Sequence, residues 1–162
     1  MAVIAYTDGS SLGNPGPGGY GTILLDTEKK LKKEFSEGFR LTTNNRMELW
    51  AVIVALEKLR KPQTEITIYT DSKYVCDSVE KKWVFGWEKK SFKGKKNEDL
   101  WRKFLLLYRK HRVKFQWVRG HAGNEFNERA DQLAVAAANS RNLKTDTGFE
   151  AEKSPDGINF VD

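Results

Sequence analysis

Cysteine and histidine are almost absent from this chain, which has one Cys and two His among 162 residues. A single cysteine, Cys76, excludes an internal disulfide and a metal cluster built on cysteines. Because a reactive thiol would need a nearby base, we expect Cys76 to be a small residue packed on a helix. The chemistry of this protein must therefore come from other side chains.

Long apolar runs are missing as well. No segment approaches the roughly 18 consecutive apolar residues of a membrane span. The opening MAVIAYTDGS lacks the basic region and long apolar stretch of an export signal. We therefore expect no membrane partner and a cytoplasmic location. With 39% apolar and 31% charged residues, the composition is typical of one soluble globular domain.

Positive charge is concentrated in one segment. The net charge is +6, and residues 81–96 (KKWVFGWEKKSFKGKK) contain seven lysines and one glutamate. The remaining residues are therefore close to neutral. Such a patch indicates a polyanionic partner more strongly than an even excess of charge would.

Apolar periodicity predicts the element order βββαβααβα. The predicted strands cover residues 2–7, 20–25, 34–41, 65–70 and 113–118, and the predicted helices cover residues 44–60, 72–82, 97–110 and 125–140. The first helix is expected to be capped by Asn44 or Asn45. This mixture implies an α/β sheet with an antiparallel hairpin portion and crossover helices.

The end of the chain is polar and acidic. Residues 142–162 are expected to form a loosely held tail. Its apolar residues Ile158, Phe160 and Val161 either dock on the body of the protein or stay free.

Two short strings resemble each other, YTDGS (6–10) and YTDSK (69–73). Each is the end of an apolar strand followed by an aspartate, Asp8 or Asp71. Since ligands bind beyond the carboxyl ends of strands in α/β sheets, two parallel neighbours would bring these aspartates together. Taken singly, Asp8 could be a turn residue and Asp71 a helix cap.

Two further acids lie on predicted helices. Glu48 leads the apolar stripe of Ala51, Val52 and Ala55, so its carboxylate is expected to point toward the sheet. A capping-box partner of Asn45 is the alternative for Glu48. Asp131 lies in the last helix, where a solvated helix face explains it equally well.

Four acids from separate elements favour a divalent cation. Carboxylate oxygens suit Mg²⁺ or Mn²⁺ rather than Zn²⁺, and a pair of ions can clamp the attacking and leaving oxygens of a phosphodiester. His121, in the loop RGHAGN (119–124), could activate water or shuttle a proton. His111, on the apolar stripe of the preceding helix, is expected to be structural.

Four segments resemble, in order and spacing, the signature blocks of type 1 ribonuclease H. They are TDGSSLGNPGPGGYG (7–21), TTNNRMEL (42–49), YTDSKYV (69–75) and VRGHAGNEFNERAD (118–131). The resemblance implies the ribonuclease H-like fold, an α/β fold with a five-stranded mixed β-sheet flanked by helices. It also implies a catalytic domain over residues 1–149, a basic protrusion over residues 80–98 and a C-terminal tail over residues 150–162.

The same resemblance suggests roles for individual residues. The metal-binding carboxylates of the family correspond by position to Asp8, Glu48, Asp71 and Asp131. Its loop histidine and an auxiliary acid near the metals correspond to His121 and Glu128. Its hybrid-contacting positions correspond to Asn14, Thr43, Asn44 and Asn45. In the protrusion, the expected substrate contacts are Trp83, Trp87, Lys89 and Lys90.

The function expected from the resemblance is endonucleolytic hydrolysis of the RNA strand of RNA–DNA hybrids, leaving 5′-phosphate and 3′-hydroxyl ends without sequence preference. Two Mg²⁺ ions, or Mn²⁺ as a substitute, are expected when substrate is bound, and the protein is expected to be a monomer. Two alternatives remain at this point, because a fold does not fix a function. They are a DNA resolvase or other nuclease on the same fold, and a non-catalytic nucleic-acid-binding domain.

Overall fold

A computed structural model describes residues 2–120 and 123–153 of the protein. The strands are β1 (Ala2–Ser11), β2 (Gly16–Asp26), β3 (Leu31–Thr42), β4 (Glu65–Thr70) and β5 (Arg112–Trp117). The helices are α1 (Asn44–Glu57), α2 (Lys73–Glu80), α3 (Trp83–Lys89), α4 (Glu98–Tyr108), α5 (Glu125–Ala138) and α6 (Thr147–Lys153).

The five strands form one mixed sheet in the order β3-β2-β1-β4-β5. The first three strands are antiparallel neighbours, whereas β4 pairs in parallel with both β1 and β5. This arrangement confirms the predicted α/β sheet. In the β1–β4 pair Tyr6 lies beside Tyr69, so both strands reach the same edge of the sheet at matching positions.

Helix α1 packs on β1 and β2 of the sheet and also contacts α4. Its first turn is capped by Thr43, whose Oγ1 accepts a hydrogen bond from the Arg46 amide at 3.2 Å. The cap predicted at Asn44 or Asn45 is therefore wrong by one or two residues, because the threonine before them has the extended backbone that a cap requires. The largest core cluster joins α1 and the sheet to Trp101 and Phe104 of α4.

Two short helices were not predicted. Helix α3 lies within the basic segment and α6 lies within the expected tail, and each has seven residues. Seven residues make about two turns, which is too short for an apolar period to be recognised. A polar segment can also become helical through tertiary contacts that its own sequence does not announce.

The expectation of a loosely held tail is wrong for residues 144–150. The Lys144 backbone makes hydrogen bonds to the backbone of Gly38 and Arg40, which lie in β3. Asp146 is fully buried. Phe149 is buried as well, so the domain boundary predicted after residue 149 falls inside α6. Residues 158–161, whose docking was left open, lie outside the described residues.

None of the helices in the described part of the chain is both long enough and apolar enough to cross a membrane.

Candidate active site

Three carboxylates converge where the pairing of β1 with β4 ends. One oxygen from each of Asp8, Glu48 and Asp71 lies within 4.8 Å of the other two. Asp8 and Glu48 are buried, and Asp71 is half-buried. The predicted meeting of Asp8 and Asp71 at one sheet edge is thus confirmed, and α1 supplies the third acid.

Gly9 explains how Glu48 comes so close to Asp8. A Cβ atom at position 9 would collide with the backbone of Met47 and Glu48, so only glycine permits this approach of β1 to α1. The Gly9 backbone acts to lower the pKa of the Glu48 carboxyl, against the larger raising effect of burial. Glu48 therefore belongs to the carboxylate cluster rather than to a capping box.

Asp131 comes from the opposite face of the sheet, on α5. Its carboxyl group lies within hydrogen-bond reach of the Asp8 carboxyl. A side chain on Gly21 of β2 would collide with the Ala130 carbonyl, so glycine again permits the close approach, here of α5 to the sheet. All four predicted acids are therefore brought together, from β1, from the residue after β4 and from two helices.

The alternative for Asp71 as a helix cap is wrong. Ser72 caps α2 instead, because its Oγ accepts a hydrogen bond from the Val75 amide at 3.1 Å. The Asp71 carboxylate is left to face the cluster.

The cluster carries a strong electrostatic penalty in the absence of a cation. Burial, together with the charges of Asp71 and Asp131, raises the pKa of Asp8 to about 8. Burial, and to a smaller extent the charges of Asp8 and Asp71, raise the pKa of Glu48 well above its usual range. Glu48 Oε1 is buried without a hydrogen-bond partner among the described residues. Converging hard oxygens, one of them unpartnered, fit a divalent cation.

Replacing Asp8 with Asn should stabilise the metal-free protein at pH 8 by about 2 kcal/mol, since an uncompensated buried charge costs several kcal/mol. The folded protein keeps the Asp8 proton between pH 3.8 and about 8, where the unfolded chain has lost it. The wild type therefore loses stability as pH rises through this range, and the variant lacks that loss. Urea unfolding in EDTA at several pH values measures the difference.

The control for this experiment is Asp77→Asn, which makes the same chemical change at a half-buried position on α2. It should not share the pH-dependent gain. A gain for Asp8→Asn that stays constant from pH 4 to pH 8 would contradict the buried-charge explanation.

A small pocket opens at the cluster. It is lined by Thr7, Asp8, Asp71, Val118, Gly120 and Asn127. Asn127 is buried and lies one helical turn before Asp131 on α5. Sequence reasoning did not assign it to the site, although its spacing of four residues from Asp131 is the signal that could have done so.

The sequence comparisons agree on one family. Residues 1–139 match the sequence profile of the family described as RNase H. A curated ribonuclease H from Trichodesmium erythraeum is 52% identical over 153 residues, covering 91% of this chain and 96% of that protein. The chain belongs to the RNase H family. It is therefore an endonuclease that acts on the RNA strand of RNA–DNA hybrids.

Solved structures of RNase H proteins share the fold. LC9-RNase H1, described as a type 1 RNase H with the type 2 active-site motif, has a TM-score of 0.77 and 31% identity, covering 93% of this chain and 80% of that one. LC11-RNase H1, solved in complex with an RNA/DNA hybrid, has a TM-score of 0.63 and 26% identity, covering 84% and 96%. The five-stranded mixed sheet predicted from the resemblance to this family is thus confirmed.

The resemblance also suggested two residues that assist the carboxylates, Glu128 and His121, and the structure describes only the first. Glu128 lies exposed on α5, one turn before Asp131. His121 lies outside the described residues. Gly120, the last described residue before it, lines the pocket together with Asp8 and Asp71.

Four of the residues predicted to contact the hybrid, Asn14, Thr43, Asn44 and Asn45, meet at the start of α1. Asn14 Oδ1 accepts a hydrogen bond from the Asn44 amide at 3.1 Å, which joins the β1–β2 loop to the start of α1. Asn14, Thr43 and Asn45 line a groove that also includes Lys96 and Asn97. The predicted contact positions of the family and part of the basic segment therefore share one groove.

The protrusion is more tightly packed than its sequence indicates. Phe92 is fully buried, Phe85 packs on Tyr108, and Trp87 packs edge-on against Trp101 at 5.9 Å between ring centroids. Three of its four aromatics thus contact the core. Trp83 is 46% exposed beneath Lys81, and Lys89 and Lys90 are exposed at the end of α3.

Proposed function

We propose that this RNase H protein cleaves RNA in hybrids with two Mg²⁺ ions, or Mn²⁺ as a substitute, held by Asp8, Glu48, Asp71 and Asp131. The observation behind the proposal is the convergence of buried carboxylates around an unpartnered Glu48 oxygen. Lone acids on a protein surface are common, but buried acids at this spacing need a compensating cation in order to ionise.

The position of each carboxylate suggests its role in holding the ions. Asp8 interacts with Glu48 and Asp71 and also with Asp131, so it would take part in holding each of the ions. Bound divalent ions would supply an activated water and stabilise charge on the leaving 3′-oxygen. Because Asp8 and Glu48 must be ionised to bind cations, their raised pKa values favour metal binding at neutral to alkaline pH.

Two residues are proposed to assist. Gly120 lines the pocket and His121 follows it directly in the sequence, which supports a role for His121 in proton transfer or product release. Glu128 lies one helical turn from Asp131 on the exposed side of α5, which supports an auxiliary role near the metals. Cleavage is proposed to leave 5′-phosphate and 3′-hydroxyl ends.

The substrate is proposed to lie across the cluster, the groove and the protrusion. LC11-RNase H1 was solved with an RNA/DNA hybrid, which supports the same class of substrate here. Short polar groups at Asn14, Thr43, Asn44 and Asn45 are suited to contact sugars and the 2′-hydroxyl that DNA lacks. Lys89 and Lys90 can pair with phosphates, and Trp83 and Trp87 are proposed as aromatic contacts. Such contacts make binding independent of sequence.

We also propose a monomer in the cytoplasm. The exposed large apolar side chains of the described residues lie on separate elements, among them Leu31, Leu106 and Val135, so they form no continuous apolar stripe. Curated relatives such as that of Trichodesmium erythraeum are bacterial, and bacterial DNA lies in the cytoplasm.

Assaying four substrates side by side tests the function. We expect cleavage of an RNA–DNA hybrid with Mg²⁺, and none of duplex DNA, duplex RNA or single strands. EDTA should abolish the activity and Mg²⁺ should restore it. Cleavage of branched or duplex DNA would instead indicate a resolvase or another nuclease. Binding of the hybrid without cleavage would indicate a non-catalytic domain.

A further inference from the structure

Trp117 is tied to a member of the carboxylate cluster. Its indole Nε1 donates a hydrogen bond to the backbone oxygen of Asp71 at 3.1 Å. The residue ends β5, where it pairs with Thr70 of β4, and it is 36% exposed. The indole ring is therefore fixed relative to Asp71 while part of it faces solvent.

Lys73 lies on this ring. It is the first residue of α2, it is exposed, and its Nζ lies 4.6 Å from the centroid of the Trp117 ring. Within residues 2–120 and 123–153, no carboxylate lies within salt-bridge distance of Lys73, whereas Lys103 pairs with Glu57 at 3.1 Å. A cation–π contact orients an ammonium group without neutralising it.

The pair lies next to the proposed cleavage point. Lys73 follows Asp71 by two residues, so its Cα is at most about 7 Å from that of Asp71. A phosphate at the cluster has neighbours along the same RNA strand. An oriented ammonium group without an acid partner in the described chain is suited to pair with one of them.

We propose that Lys73, held on the Trp117 ring, binds an RNA-strand phosphate next to the one that is cut. Trp117 has a second, positioning effect, because its indole N–H holds the backbone of Asp71. This subsite rests on the proposed function. It lies outside the 81–96 basic segment and outside the residues suggested by the family resemblance.

The first test is the salt dependence of hybrid cleavage with Mg²⁺. Lys73→Gln should lower kcat/KM about tenfold at low salt, the scale of a charge-assisted contact. It should also reduce the slope of log(kcat/KM) against log[salt] by about 0.9, the value for one lost phosphate contact. Lys73→Arg should restore most of both. Lys61→Gln is the matched control, because it makes the same charge change at an exposed site near the start of β1 and the end of β2, away from the cluster. It should leave kcat/KM and the salt slope unchanged.

The second test locates the phosphate. Hybrids carry one neutral methylphosphonate linkage at each position around a single cleavage site. When the neutral linkage stands at one position beside the cut, the cleavage rate of the wild type should fall to that of Lys73→Gln. The rate of Lys73→Gln should not fall further with the same hybrid. If the variant's penalty is the same at every position, or if Lys73→Gln equals wild type on the unmodified hybrid, the subsite does not exist. A wild type that cuts no hybrid would instead overturn the proposed function.

Trp117→Phe separates positioning from phosphate binding. The variant keeps an aromatic face for Lys73 but loses the N–H that holds Asp71. We expect a lower kcat and a higher Mg²⁺ concentration for half-maximal activity, with the salt slope of the wild type. An unchanged Mg²⁺ requirement in a folded variant, checked by circular dichroism, would overturn the positioning role.

Discussion

Asp8→Asn will abolish cleavage of the hybrid while leaving the hybrid bound. Asp8 interacts with each of Glu48, Asp71 and Asp131, so its loss of charge affects every proposed metal contact. Because metal ions supply several kcal/mol of transition-state stabilisation, we expect turnover to fall by at least about a thousandfold. Single-turnover cleavage with Mg²⁺ measures the rate, and fluorescence anisotropy of a labelled hybrid measures binding.

The design separates catalysis from folding. Asparagine has nearly the shape of aspartate, and the buried-charge argument predicts that the variant is more stable than the wild type at pH 8 in the absence of metal. Lost activity in a more stable protein therefore cannot come from unfolding. Asp77→Asn serves again as the control and should cleave at the normal rate. Near-normal turnover by Asp8→Asn would refute its role in holding metal.

Arg46→Met should cost about 3–5 kcal/mol of folding free energy, the scale for breaking a buried ion pair. The Arg46 side chain is fully buried, and it donates to both oxygens of Asp146 at 2.8 Å. It also donates to both oxygens of Asp99 at 2.9 and 2.7 Å. Methionine fills much of the space but leaves the buried Asp146 charge without a partner. Urea unfolding at pH 7 measures the loss.

Arg40→Met is the matched control for this loss. Arg40 also makes two hydrogen bonds of 2.8 Å to one carboxylate, that of Glu150, but it lies on the surface. Solvent screens such a pair, so its removal should change stability far less than the removal of Arg46. Equal losses in the two variants would show that burial of Arg46 does not dominate the effect.

The carboxylate cluster was predictable because its determinants are local. Asp8 and Asp71 each come directly after an apolar run that is visible in the sequence, and ligands bind beyond the carboxyl ends of parallel strands. The structure extends β1 to Ser11, so Asp8 lies within the strand rather than after it. Glu48 was placed by the helical spacing of the apolar residues after it. The glycines that bring the cluster together were harder to interpret, since Gly9 and Gly21 act through collisions that only the folded backbone reveals.

The Arg46 network could not be predicted in the same way. Asp99 and Asp146 lie 53 and 100 residues away, and no periodicity links them to Arg46. From the sequence alone, Arg46 is expected to be an ordinary solvent-exposed residue of the helix. The same limitation explains why residues 144–150 were expected to be loosely held, because a polar segment shows no sign of the partner that buries it.

The dependence of Arg46 on Asp146 sets an order of events during protein synthesis. The ribosome releases the chain from its N-terminus, so α1 emerges long before position 146. A nascent chain that lacks residues 144–150 holds an arginine whose buried partner does not yet exist. We therefore expect the domain to remain loosely folded on the ribosome until residues 144–150 have left the exit tunnel, and to tighten in one late step.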